Sequence, residues 1–137
     1  MAPDRDQQEI APQSVLLVDD EETLLKAFEL SLSRRMPVEM AHSGVRALEI
    51  LKDKFFPVIV SDMHMPGMTG IEFIIEARKL ASGSVFMLLT ASRESQTAIS
   101  AINDADVFCI INKPCSIADV SDFIDAAYED YKKKASQ

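Results

Sequence analysis

The chain is 137 residues long and 47% of them are hydrophobic, which suits one folded domain with a sizeable core. Acidic residues outnumber basic ones by 22 to 14, so the net charge is −8 and the surface should repel nucleic acid and anionic membranes. No apolar run approaches the length of a transmembrane helix, and the polar N-terminus lacks the pattern of a secretory signal. The two cysteines, Cys109 and Cys115, are too few for a disulfide framework. These features predict a cytoplasmic protein without direct nucleic-acid binding or membrane insertion.

Apolar runs and amphipathic segments alternate along the chain and indicate one domain between two polar ends. Residues 1–13 are polar and contain two prolines, so a disordered N-terminal tail is predicted there. The domain is expected over residues 14–131, and residues 132–137 are expected to be a polar C-terminal tail or a severed linker. Short apolar runs predict five buried strands, at residues 14–18, 38–41, 58–61, 84–89 and 107–111.

Helical segments are predicted between and after these strands. Ser43 is the expected N-cap of the second helix, and a weakly amphipathic helix is expected over residues 94–103. The apolar stripes of the other helices are Leu24, Leu25, Phe28 and Leu32; Val45, Leu48 and Leu51; Ile71, Ile74 and Ala77; and Ile117, Val120, Phe123, Ile124, Ala127, Tyr128 and Tyr131. Strands that alternate with helices predict an α/β fold, a doubly wound parallel sheet with helices on both faces.

Polar residues stand where four of the predicted strands end. Asp19 and Asp20 follow the first strand, Asp62 the third, Thr90 the fourth and Lys113 the fifth. The carboxyl ends of parallel strands share one edge of the sheet, where ligands bind in open α/β folds. Three carboxylates together repel one another, and hard oxygen ligands of this kind suit Mg²⁺ or Mn²⁺.

Such a cluster beside a lysine and a hydroxyl can receive a phosphoryl group, because this chemistry needs positioning and charge neutralisation. A carboxylate can itself be the nucleophile and form an aspartyl phosphate. Asp62 is the predicted nucleophile, since the third strand should be central and the loop after it contains Pro66 and Gly67, which bend the chain away. Asp19 and Asp20 are then expected to bind the metal.

Four motifs, VLLVDDEE, VIVSDMHMPGMTG, MLLTAS and INKP, resemble the receiver domain of two-component response regulators. The resemblance covers residues 14–131 and implies a (βα)5 sheet with the flavodoxin-like strand order 2-1-3-4-5. It implies that Asp62 is the phosphoacceptor and that Asp19, Asp20, Asp62 and the backbone carbonyl of His64 bind Mg²⁺.

The resemblance also assigns residues around the phosphoryl group. Thr90 and Lys113 should contact it, and the Lys113–Pro114 bond should be cis. The side chains of His64 and Ser92 are expected to modulate its turnover. Family members usually carry Tyr or Phe at the position of Ile110, and an isoleucine cannot swing an aromatic ring between exposed and buried positions.

The implied partners are a sensor histidine kinase or a histidine phosphotransfer protein as donor, and an unknown output domain or downstream protein. Phosphorylation is expected to act through the fourth predicted helix and the fifth strand. The segment from Ala101 to Pro114 resembles receivers attached to signalling enzymes. The chain itself is expected to catalyse only its own phosphorylation and slow dephosphorylation.

Three other functions share parts of the pattern. A phosphatase of the haloacid dehalogenase type should end its nucleophile strand in D-x-D-x-T/V, which Asp62-Met63-His64 does not match. A nucleotide-binding module should have a glycine-rich loop after the first strand, where this chain has acids. A receiver that is never phosphorylated is disfavoured because all five polar strand-end residues are present. Met63, Met65 and Met68 are compatible either with a partner surface or with core packing.

Overall fold

A computed structural model describes residues 10–91 and 105–136 of the chain. In these residues the strands are β1 (Val15–Val18), β2 (Val38–Ala41), β3 (Val58–Asp62), β4 (Val85–Thr90) and β5 (Cys109–Asn112). The helices are α1 (Glu22–Leu32), α2 (Gly44–Asp53), α3 (Gly70–Leu80) and α4 (Ile117–Ala135). Ser92 and the helix predicted over residues 94–103 lie outside the described residues.

The five strands form one parallel sheet in the order β2-β1-β3-β4-β5, which confirms the predicted topology. β3 lies at the centre, and Ser61 is in register with Val18 on one side and Leu88 on the other. All five β3 residues are buried, as expected for a strand covered on both faces. The strands therefore bring their carboxyl ends to one edge, with Asp62 in its middle.

Two hydrophobic clusters cover the two faces of the sheet, which confirms the doubly wound arrangement. The first includes Leu51 of α2 and Phe73 of α3. The second includes Leu25 of α1 and Ile124 of α4. Ser43 accepts a hydrogen bond from the backbone N–H of Arg46, so it caps α2 as predicted.

Two residues predicted to lie on buried stripes are exposed instead. Val45 is 57% exposed because Gly44, Ala47 and Leu51 form the inner face of α2. Phe123 is 41% exposed because the neighbouring Ile124 occupies the core position on α4. In both cases residues one position apart differ by about 100° around the helix, so a wide apolar stripe cannot be buried entirely.

β5 also starts later than predicted, at Cys109 instead of Val107. Val107 is buried in the first cluster without being part of the ladder. Asp106 has a positive φ of 54°, which places a bend directly before this segment. An apolar run therefore does not by itself mark where strand pairing begins.

Two residues that precede the predicted start of the domain, Ala11 and Gln13, form hydrogen bonds with α4. The backbone N–H of Ala11 donates to the Tyr131 hydroxyl at 3.0 Å, and the Tyr128 hydroxyl donates to the Ala11 carbonyl at 2.8 Å. The Gln13 side chain donates to Asp125 at 2.8 Å. Residues before position 14 thus bond to the folded domain.

The loop between β3 and α3 is held by core packing. Met63 and Met65 are buried in the first cluster, and the half-buried Met68 packs against it. These contacts support core packing over a partner surface for the three methionines. Thr69 then starts α3 with a capping box, in which Thr69 and Glu72 satisfy each other's backbone N–H groups.

Gly70 allows α3 to begin directly against the end of β3. A Cβ atom at this position would overlap the carbonyl oxygen of Asp62 and lie 2.9 Å from Cδ2 of Leu88. The Gly70 N–H also donates to the Met63 carbonyl at 2.8 Å. A glycine here therefore fixes the distance between the helix start and the strand end that carries Asp62.

We expect Gly70→Ala to lower the free energy of unfolding by about 1–3 kcal/mol, because the added methyl group forces the backbone around Asp62 apart. Gly83→Ala is the matched control, since its Cβ would lie 3.8 Å from Phe55, an ordinary contact. The control should be neutral or slightly stabilising. Urea unfolding of both variants measures the difference, and equal stabilities would contradict the close approach.

Candidate functional site

The structure brings three carboxylates together at the carboxyl edge of the sheet. Asp19 and Asp20 directly follow β1, and Asp62 ends β3. One oxygen from each of the three lies within 4.8 Å of the others. Asp19 and Asp62 are buried, whereas Asp20 is exposed. The cluster therefore faces solvent at Asp20, while its other two carboxylates lie inside the fold.

Lys113 lies between two of these carboxylates. Its Nζ is 3.2 Å from Oδ1 of Asp62 and 3.3 Å from Oδ2 of Asp19. The lysine side chain is 21% exposed, so solvent screens these pairs less than it screens surface salt bridges. Lys113 directly follows β5, and the Lys113–Pro114 bond is cis.

Burial and neighbouring charges shift the pKa values of Asp62 and Lys113. Burial raises the pKa of Asp62, and the nearby Asp19 raises it further, while Lys113 partly offsets both effects. Burial alone would lower the pKa of Lys113, but the attraction of Asp19 and Asp62 outweighs it and raises this pKa. The site therefore favours the charged form of Lys113 and disfavours the charged form of Asp62.

Asp19 has a second role that the sequence did not reveal. Its Oδ1 accepts a hydrogen bond from the backbone N–H of Glu21 at 2.9 Å, while Oδ2 faces Lys113. The Glu21 side chain makes no capping bond of its own. Asp19 thus binds both the backbone at the start of α1 and the lysine. A carboxylate two residues before the N-cap of a helix is the signal that could have shown the first of these bonds.

Thr90 ends β4 beside this cluster and is buried. Its carbonyl accepts a hydrogen bond from the Lys113 N–H at 2.8 Å, which ties the ends of β4 and β5 together. His64 is exposed in the loop after β3. Ile110 is half-buried and packs against the first hydrophobic cluster, opposite Leu88.

The donor set fits a divalent cation such as Mg²⁺ or Mn²⁺. Three carboxylates and one ammonium leave an excess of two negative charges within a few ångströms. All three candidate ligands are hard oxygen atoms, and the exposed Asp20 leaves room for metal-bound water. Asp19, Asp20 and Asp62 are the side chains that would hold such an ion.

An apolar cleft of about 320 Å³ opens beside Lys113, between α1 and the segment after β5. Three sequence-distant parts of the chain build it, so no local sequence pattern predicted it. Its lining residues are Glu21, Leu24, Phe28, Leu89, Ala91, Lys113, Pro114 and Cys115.

The two cysteines are free and half-buried, and both pack against the second hydrophobic cluster. Burial raises the pKa of the Cys109 thiol to about 11 and also raises the pKa of Cys115. Both thiols are thus protonated at neutral pH, which agrees with packing as their main role.

Solved structures share this fold. A receiver domain protein described as CheY-like, from Methanospirillum hungatei JF-1, superposes with a TM-score of 0.84 at 23% identity, covering 90% of this chain and 99% of that one. A structure described as adenylate cyclase from Rhodopirellula baltica gives a TM-score of 0.87 at 38% identity, covering 92% of this chain and 94% of that one. The fold is therefore that of the flavodoxin-like receivers.

The family follows from the sequence comparison. The family model described as the response regulator receiver domain matches residues 15–125. The chain is 33% identical over 119 residues to the transcriptional regulatory protein GlrR of Escherichia coli K12, covering 86% of this chain and 27% of that protein. The chain belongs to the receiver domain family of two-component response regulators.

The chain spans about a quarter of the length of the curated relatives that it matches first. Within residues 10–91 and 105–136, none of the helices is both long enough and apolar enough to cross a bilayer.

The pKa shift of Asp62 makes a prediction about stability without metal. Because its pKa is higher in the folded state, the fold loses stability as pH rises from the ordinary value of 3.8 to the raised folded value, and the penalty is constant above it. We expect Asp62→Asn to remove this loss. As pH rises from 3.8 to the raised pKa of Asp62, the variant should therefore become increasingly more stable than the wild type. Above that pKa the difference in free energy of unfolding should stay constant.

Urea unfolding in the presence of a chelator measures this difference at each pH. Asp53→Asn, at the exposed end of α2, is the matched control and should follow the wild-type profile. Added Mg²⁺ should reduce the difference in free energy of unfolding between Asp62→Asn and wild type near neutral pH, because the ion stabilises the intact cluster. A variant less stable than wild type at neutral pH without metal would contradict the assigned electrostatics.

Proposed function

We propose that this receiver domain takes a phosphoryl group from a phosphohistidine onto Asp62. The observation that carries the proposal is the contact of one lysine, Lys113, with both Asp62 and Asp19 at the carboxyl edge of the sheet. The donor is a sensor histidine kinase or a histidine phosphotransfer protein, and the reaction takes place in the cytoplasm. The domain is a regulatory switch that catalyses only its own phosphorylation and slow dephosphorylation.

The residues of the chain divide this reaction between them. A carboxylate oxygen of Asp62 attacks phosphorus, the N–P bond of the phosphohistidine breaks, and the imidazole leaves with the bonding electrons. The Lys113 ammonium, 3.2 Å from Asp62, balances charge on the transferred group. Mg²⁺ bound by Asp19, Asp20, Asp62 and the His64 carbonyl would supply further charge neutralisation when present.

Water later hydrolyses the acyl phosphate and restores the Asp62 carboxylate. The side chains of His64 and Ser92 are proposed to modulate this step. His64 is exposed in the loop that follows Asp62, which supports access to the same side of the sheet.

The switch is proposed to run from Asp62 to the segment between β4 and β5. Thr90 stands at the end of β4 and its carbonyl is bonded to Lys113, so a turn of Thr90 toward a phosphoryl group shifts the chain that follows. The fourth predicted helix and β5 then favour an active arrangement, with a coupling of about 1–3 kcal/mol. Ile110 stands at the position of the usual aromatic residue and packs against the first cluster, so the switch at this position works without ring rotation.

The output is proposed to lie in another domain or a downstream protein. One relative is named a transcriptional regulator and one similar structure is described as an adenylate cyclase. The greater identity to the second, 38%, together with Ile110, favours a signalling-enzyme output. Cyclic-nucleotide synthesis by the full-length protein, with and without phosphodonor, tests that choice against DNA binding.

Incubation with acetyl phosphate and Mg²⁺ should add one phosphoryl group to the wild type, as measured by intact mass. Asp62→Asn should show no adduct, because the nucleophile is gone, and Asp20→Asn should react at least tenfold more slowly through weaker metal binding. Asp53→Asn is the control and should match the wild type.

Omission of Mg²⁺ should abolish the wild-type adduct. An adduct that persists in Asp62→Asn would place the acceptor elsewhere. A wild type that reacts neither with acetyl phosphate nor with a phosphorylated histidine phosphotransfer protein would contradict the proposed function.

A further inference from the structure

A fully buried hydroxyl lies directly before Asp62. Ser61 is 0% exposed and stands in the centre of the sheet, in register with Val18 of β1 and Leu88 of β4. Both of these neighbours belong to the first hydrophobic cluster. A hydroxyl in such surroundings is costly unless it makes a hydrogen bond.

The partner of this hydroxyl is the backbone of Asp62 itself. Ser61 Oγ donates to the Asp62 carbonyl oxygen at 3.0 Å. The N–H on the other side of the same peptide group, that of Met63, donates to the Leu89 carbonyl at 2.8 Å. Both polar atoms of the peptide that follows Asp62 are therefore held, one by a side chain and one by β4.

Gly70 also lies close to the same peptide group. Gly70, at the start of α3, leaves no room for a Cβ next to the Asp62 carbonyl, and its N–H binds the Met63 carbonyl at 2.8 Å. The peptide thus lies between the helix start and the Ser61 hydroxyl. Its orientation sets the direction of the Asp62 carboxylate on one side and of the loop that leads to His64 on the other.

We propose that Ser61 is a positioning residue for phosphoryl transfer: its hydroxyl holds the peptide plane after Asp62, and so aims the Asp62 carboxylate at the phosphodonor. This inference rests on the proposed function of Asp62. In-line phosphoryl transfer depends on the placement of nucleophile and charge, and small displacements of a reacting group cost large factors in rate. Ser61 acts through the backbone, since its hydroxyl donates to the Asp62 carbonyl oxygen.

The test compares two buried serines, Ser61 in β3 and Ser84 directly before β4. Ser61→Ala removes the bond to the Asp62 carbonyl. Ser84→Ala removes an equivalent bond, from a buried serine hydroxyl to the Phe56 carbonyl, at the opposite edge of the sheet. Both changes delete one buried hydrogen bond to a backbone carbonyl, so their structural costs are matched.

The rate of adduct formation with acetyl phosphate and Mg²⁺ is measured by intact mass, alongside urea unfolding with and without Mg²⁺. We expect Ser61→Ala to react about tenfold more slowly, and to gain less stability from Mg²⁺, than the wild type. Ser84→Ala should lose stability in a similar way but react at the wild-type rate. Equal rates for Ser61→Ala and wild type, or an equal loss of rate in Ser84→Ala, would overturn the inference.

A second pair of variants at Ser61 tests the inference even if Ser61→Ala folds poorly. Ser61→Thr keeps the hydroxyl and adds a methyl group, whereas Ser61→Val has nearly the same shape without the hydroxyl. Ser61→Thr should react several-fold faster than Ser61→Val, and equal rates would overturn the inference. A wild type that forms no adduct with acetyl phosphate or with a phosphorylated histidine phosphotransfer protein would overturn the proposed function. A wild type that reacts only as fast as Ser61→Ala would overturn the role of Ser61 alone.

Discussion

The contact of Lys113 with Asp19 and Asp62 is the interaction on which the site depends. Two buried carboxylates near a third would repel one another and raise the free energy of the fold, and the lysine ammonium offsets part of that repulsion. The remaining negative charge favours a divalent cation. One arrangement of charges thus limits stability in the absence of metal and provides the basis of the proposed chemistry.

The fold places these charges through its strand order. Since β3 lies between β1 and β4, Asp62 stands next to Asp19 on one side and near Thr90 on the other. The backbone next to Asp62 is held by the bond from the Gly70 N–H to the Met63 carbonyl and by the bond from the Ser61 hydroxyl to the Asp62 carbonyl. The side chain of Asp20, in contrast, is exposed.

Several structural features were not predictable from local patterns. Val45 and Phe123 looked like core residues, but the exact rotation of each helix is set by the neighbours it packs against. The start of β5 depends on pairing with β4, and the bonds of Ala11 to Tyr128 and Tyr131 join residues more than a hundred positions apart. The apolar cleft beside Lys113 likewise needs three distant segments to meet.

The sequence by itself determined the α/β class, the strand order through the family resemblance, and the polar residues that end the strands. Buried parallel strands are continuous apolar runs, and acids or lysines at their ends are plain in the chain. Only the tertiary structure decided that Lys113 contacts both Asp19 and Asp62, that Asp19 also fixes the start of α1, and that Ser61 holds the peptide after Asp62. The lysine contact joins residues far apart in the chain, and the two local bonds depend on side-chain directions and distances of about 3 Å that the sequence does not specify.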